Sequence, residues 1–380
     1  MMLRAWPAAV SLWLAASVGA DVVHQRDGLP ALEGRIMRVD DAGITLDRNY
    51  AEPDFIRWDR VRDVRTDRTD LKLQTYLDEA AKLWRARTRL ERNDAAMAEP
   101  LLESLFQRYR GQSNDTALLV AEGLLRCRLA RGAQDLAVIP ALEIARLRTV
   151  VKGSGTAFPT LPSVFDDRTF LCTQLPPVWL SDTTSLVKLE RELAAYESGT
   201  NTIVASLAAM YLHAVRHQIG MRVDEEQRVL AADHPGVMFL RSIVDAGSSD
   251  AMRRNAARLA LARELPSLPE WAQAWSSYFI GMSLMAEPGV GRQEQGLVNL
   301  SYIPARFAAV QPYLAGVALA KLADACDAWG DASAASSLRT ELATRYPRHP
   351  ALASLRTPAS SSQPATAPQA PVEVNSKEPL

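Results

Sequence analysis

Two rhythms divide the chain. From residue 70 onward apolar positions recur at three- and four-residue spacing, the period of a helix with one buried face, whereas before it they fall in short alternating runs. The helical text predicts pairs. Residues 73–92 and 95–109 flank Asn93-Asp94, and residues 117–131 and 136–151 flank Gly132. Further helices are predicted at 183–196, 202–219, 237–245, 251–264 and 270–285, the last joined to 296–310 across Glu287-Pro288-Gly289. The clearest pair runs from Tyr313 to Pro347, with small residues where two helices cross, Gly330-Asp331 at the turn and Tyr346-Pro347 as a stop. Between the second and third pairs, residues 151–181 carry Gly153, Gly155, Pro159, Pro162, Pro176 and Pro177, which break helices. Phe158, Phe165, Phe170 and Trp179 make that segment too apolar for a free linker, so it is expected to pack against the helices.

The alternating runs are Val22-Val23 and residues 32–39, 44–46 and 55–64, separated by Asp-Gly, Asp-Asp-Ala-Gly and Glu-Pro-Asp turns. They predict a small all-β domain over residues 21–68. The EGRIMRVDDAGITL hairpin and the closing FIRWDRVRDV resemble an Sm-like or other small bacterial barrel, which implies a four- or five-stranded mini-barrel. The α-helical domain then spans residues 70–356, with 151–181 as its packed loop. Residues 357–380, rich in Pro, Ala and Ser, are expected to be disordered.

Residues 1–20 carry an early Arg4, an apolar stretch from Ala5 to Ala16 and the small residues Val18, Gly19 and Ala20, a secretory signal pattern with a cut before Asp21. Export to the periplasm or beyond the cell is the expectation; an uncleaved signal acting as membrane anchor is the alternative. No later segment is long and apolar enough to be expected to span a bilayer. Three cysteines in 380 residues exclude a disulfide framework, although a Cys127–Cys172 bridge stays open beside buried free thiols. A formal net charge of −1 gives no overall pull toward nucleic acid.

The helix pairs resemble the tetratricopeptide repeat. In that family a pair has a small residue in its first helix, a Gly-Asp or Asn-Asp turn, a small residue early in its second helix and often a closing proline. The last pair matches with Leu322-Ala323, Gly330-Asp331, Ala335, Leu342 and Pro347. The first offers Ala86, Asp94, Ala98, Leu102 and Leu105, and the second Leu124, Gly132, Ala137 and Ile144. Arg339 stands where the family usually has an aromatic, neither N-terminal pair has a closing proline, and Ala86 and Leu125 lie 39 residues apart against about 34 in a strict repeat. The resemblance therefore implies a diverged α-solenoid, with other helical-hairpin solenoids still open. It places Arg87 and Arg126 at one concave-face position, one repeat apart, where guanidinium groups bind carboxylates; Asp324 and Asp327 interrupt that basic face in the last pair.

Chemistry is sparse. His213 and His217 share a helix face, but Ala214 occupies the place of a zinc-protease glutamate, and Asp233 and His234 are only neighbours in sequence. Lys152-Gly153-Ser154-Gly155-Thr156 and Pro288-Gly289-Val290-Gly291 lack the endings and context of nucleotide loops, and Gly281-Met282-Ser283-Leu284-Met285 lacks the final glycine of a hydrolase elbow. The pairs Asp166-Asp167 and Glu225-Glu226 read as surface charge. No cofactor or metal is implied. The expectation is an exported bacterial scaffold or adaptor that binds another protein or peptide and is not an enzyme. The alternatives are an all-helical enzyme with a site near Trp179 and His213, or a glycan or cell-wall binder using Trp58, Trp271 and Trp275.

Overall fold

The structure, a computed structural model, describes residues 20–49, 52–69, 73–150, 155–221 and 231–356. The signal segment (all but Ala20), Lys152 to Ser154, Glu225-Glu226 and the tail 357–380 lie outside the described residues. The protein is mainly helical, with a small antiparallel sheet ahead of the helices.

The sheet comprises β1 (Asp21–Gln25), β2 (Leu32–Val39), β3 (Gly43–Asp47), β4 (Asp54–Arg57) and β5 (Val61–Arg65), in spatial order β4-β3-β2-β1-β5. Every pairing is antiparallel, and bulges at His24–Gln25 and between Ile36 and Arg38 bend it. Because β4 and β5 do not pair with each other, the sheet is open, where a closed barrel was expected. The run 55–64 also splits. Trp58–Arg60 turns as a 3-10 helix because Trp58 is drawn inward, its Nε1 donating to Asp40 O at 2.7 Å and its ring stacked on Tyr76 at 4.9 Å.

The helices follow the apolar period. They are α1 (Leu73–Glu91), α2 (Ala95–Tyr109), α3 (Asp115–Ala130), α4 (Gln134–Val150), α5 (Thr183–Glu197), α6 (Thr202–Gln218) and α7 (Pro235–Asp245), then α8 (Ala251–Glu264), α9 (Glu270–Met285), α10 (Val290–Arg306), α11 (Pro312–Ala328), α12 (Ala332–Arg345) and a short α13 (Ala351–Arg356). Side-chain caps start many of them: Asp94, Asn114, Asp182, Asn201, Asp250 and Asp331 each accept a backbone N–H of the first turn. Consecutive helices pack as pairs, and Ala86, Ala98, Ala137, Ala323 and Ala335, the small residues of the crossings, are fully buried. The α10 helix begins at Val290, ahead of the expected 296, and ends at Arg306. Its glycines mislead a propensity reading, because Gly296 is there for close approach: a side chain on Gly281 of α9 would meet Gly296 O at 3.0 Å. That crossing, and not an exposed nucleophile, is what Gly281 serves.

Residues 155–181 form a packed strap. Phe158, Phe165, Leu171, Cys172, Leu175 and Trp179 are buried, and the strap holds a two-residue hairpin of β6 (Phe165–Asp166) and β7 (Leu171–Cys172). Helices on several sides anchor its backbone. Glu122 of α3 accepts from Ala157 N (2.9 Å) and Thr156 Oγ1 (2.7 Å), Tyr211 of α6 donates to Leu175 O (3.0 Å), and Gln311 and Tyr313 at the start of α11 donate to Thr173 O (2.6 Å) and Val178 O (3.1 Å). One apolar cluster runs continuously from Val23 to Leu322, so sheet, strap and helices share a core. No helix among the described residues is long and apolar enough to cross a membrane.

Candidate functional site

A cavity of about 870 Å³ forms a cleft between the sheet and α1, closed at one side by the strap. Its walls are β4, Arg60 and Asp27 from the sheet, the second half of α1 (Trp84, Arg87, Thr88, Glu91), Arg92, Asp115 at the start of α3, and Thr156 to Thr160 of the strap. β4 is an edge strand, paired with β3 alone, so its outward backbone groups face away from the sheet. Phe55 of β4 is about half exposed, at 49%.

The floor of the cleft is an ion cluster. Asp59 is buried, and both its oxygens are taken. Arg57 donates to them from Nε (2.5 Å) and Nη2 (3.0 Å), and Arg87 donates from Nη1 (2.5 Å). Arg87, itself buried, reaches Asp27 with its other terminal nitrogen. Two carboxylates therefore lock one guanidinium of α1 to two separate turns of the sheet. Burial alone would weaken the Arg87 charge, but Asp59, Asp27 and Glu91 outweigh it and hold its pKa up. Burial raises the Asp27 pKa, and the bonds from Trp84 and Arg87 reverse that and leave it lowered.

The cleft lining holds five arginines (Arg48, Arg57, Arg60, Arg87 and Arg92) and four carboxylates (Asp27, Asp54, Glu91 and Asp115), with Asp59 beneath them, but not all of them are paired. Arg60, Arg62, Arg85 and Arg92 form no ion pair with the described residues, and Asp115 is the wall's one carboxylate without such a pair. Arg26 lies over the Trp84 ring at 4.8 Å. Its pKa is lowered, first by burial and next by Arg85, with Arg62 and Arg87 adding to the effect against Asp27.

The two sequence-predicted arginines part company here. Arg87 lies at the cleft, where the sheet covers its helix face. Arg126 lies under the strap, paired with Glu122 at 2.7 Å, donating to Pro162 O at 3.0 Å and set over the Phe158 ring. Asp324 and Asp327 sit on α11, away from both, and Asp327 pairs with Arg339. Arg60 and Arg92 were not singled out by sequence; the signal available was the charged Asp59-Arg60 step breaking a strand run.

Among the described residues no group of three histidines, cysteines or acids is placed to hold a metal. The three cysteines are free, and burial raises the Cys127 and Cys172 thiols to about 12, which keeps them protonated. Buried Glu79, Glu122 and Glu143 are each engaged by an arginine and a hydroxyl, which makes them structural clamps. Trp58, Trp271 and Trp275 are buried and present no stacking surface to a sugar. Fold and cleft thus define a mainly helical protein with an N-terminal antiparallel sheet and a charged cleft at their junction. Comparison with protein-family models, curated proteins and solved structures returns no match to this chain.

Proposed function

We propose that the chain is an exported, non-catalytic binding protein. In this reading diverged tetratricopeptide-like hairpins are the scaffold, and an extended acidic segment of a partner protein is the ligand. One observation carries it: the cleft joins a free strand edge, β4, to arginines without counter-ions, Arg60 and Arg92. A peptide adding to β4 gains main-chain hydrogen bonds, while its carboxylates meet guanidinium groups with matching planar geometry. Phe55 supplies an apolar contact beside them.

In this reading the partner lies in the cleft and not along the concave face of a solenoid, because Arg87 is engaged by Asp59 beneath the sheet and Arg126 by Pro162 of the strap. Protonated buried thiols and the arginine-engaged carboxylates of Glu79, Glu122 and Glu143 favour binding over catalysis in this reading.

The test is fluorescence anisotropy of a labelled decapeptide alternating Glu and Val against the chain lacking residues 1–20, with a Lys-Val peptide as control. The expected result is saturable binding of the acidic peptide alone, weakening as salt rises. Equal binding of both peptides, or of neither, overturns the reading. Fractionation of cells expressing the whole chain checks export separately.

A further inference from the structure

A cavity of about 290 Å³ lies between α2, α4 and α5, apart from the charged cleft. We infer that it binds a small zwitterion with an aliphatic side chain, the chemistry of a branched α-amino acid. The inference is independent of the acidic-segment reading of the cleft.

The charged groups of this cavity sort into pairs and a remainder. Arg128 donates to Glu103 at 3.1 Å, and Arg110 meets Glu192 at 3.6 Å. That leaves one charge of each sign, Asp135 on the first turn of α4 and Lys188 on α5. Neither forms an ion pair or a side-chain hydrogen bond among the described residues.

Asp135 carries the argument. It is 8% exposed, yet neither carboxylate oxygen is sealed from contact, unlike Gln134 Oε1 beside it. It lines this cavity and not the apolar seam pocket, about 250 Å³, where Tyr346 to Pro350 fold back on α3 and α4. That seam is held by His349, whose Nδ1 accepts from Ala351 N at 3.1 Å and whose Nε2 donates to Tyr313 O at 2.8 Å. The α4 dipole favours a carboxylate at its first turn but supplies no donor to it. A nearly buried carboxylate without a partner costs free energy, and a ligand ammonium removes that cost with a charge-assisted bond. Lys188 offers the matching contact for a ligand carboxylate, and the two leftover charges balance, as a ligand without net charge requires. Phe106, Leu136, Ile139 and Leu189 supply apolar wall for an aliphatic side chain. The volume equals roughly ten waters at about 30 Å³ each, enough for one amino acid and too little for a helix or strand. Apolar walls with a few polar groups are the usual make-up of a small-molecule site.

The test uses L-leucine, 3-methylbutylamine, which lacks the carboxylate, and 4-methylpentanoate, which lacks the ammonium, in ligand-observed NMR titrations of the full chain. Leucine is expected to bind saturably and about tenfold more tightly than either analogue, the ratio set by one charged hydrogen bond. Asp135→Asn is expected to erase the preference over 4-methylpentanoate, and Lys188→Met the preference over 3-methylbutylamine. Lys188 is exposed, so if Asp135→Asn fails to fold, Lys188→Met still decides. No saturable binding of leucine, the result expected where Lys188 pairs with Asp135 directly, overturns the inference. An analogue that binds as tightly as leucine, or a preference that survives its variant, overturns it too. Both variants leave the cleft residues untouched, so the two sites succeed or fail separately.

Discussion

The helix α3 has a cavity at each end. Asp115 at its start opens on the charged cleft, and Leu129-Ala130 at its end open on the apolar seam pocket, about 20 Å away along the helix. The two differ in what closes them. The cleft is closed by a sheet whose edge is free and which the buried Asp59 ties, through Arg87, to α1. The seam is closed by a proline-rich return of the chain held by one histidine. One helical layer thus carries a charged cleft at one end and an apolar one at the other, and the covering element decides which.

That contrast is broken most severely at Asp59. Asp59→Asn leaves Arg57 and Arg87 without their shared counter-ion under the sheet, and the expected loss is about 3–5 kcal/mol in a urea melt. Replacing both partners, Asp59→Leu with Arg87→Met, is expected to recover much of this, since the unpaired buried charge and not the lost pair dominates the cost. At the seam the expected effect is smaller. Gly132→Ala places a Cβ against Pro350 at a φ of +76°, costing about 1–2 kcal/mol, and it should spare the acidic peptide.

The smallest effect separates the cavities by pH. Burial lowers the His349 pKa from its ordinary 6.5, with the Tyr313 carbonyl bond opposing it. The folded state therefore prefers neutral His349, and the unfolded chain takes up the proton first as pH falls. Its contribution to stability is complete above 6.5 and declines as pH falls below that value. His234, lowered mainly by burial, acts in the same direction. Thermal melts between pH 7.5 and 5.5 are expected to show a shallower decline in His349→Gln than in the parent chain.

Much of the helical frame is legible in the sequence because its signals are local: the apolar period, Asp and Asn caps, and turns at Asn93, Gly132 and Gly330. The packed strap is legible too, from aromatics too many for a linker. The cleft is not. Asp27, Asp59 and Arg87 lie 60 positions apart at the extremes, and an arginine that meets a distant aspartate looks, in sequence, like any surface arginine. Arg87 was reached through a repeat alignment, which carries no sign of the sheet that covers it. The seam was equally hidden, since Tyr346-Pro347 reads as a helix stop, and its contact with Gly132 spans the length of the helical region.

The most direct test of the account is the affinity of the Glu-Val decapeptide for the parent chain and for the Arg60→Glu, Arg92→Glu variant. Both side chains are exposed and unpaired among the described residues, so the unfolding free energy should stay within about 0.5 kcal/mol. The account predicts at least tenfold weaker binding and a flatter salt dependence in the variant. Equal affinity with equal salt dependence would contradict it.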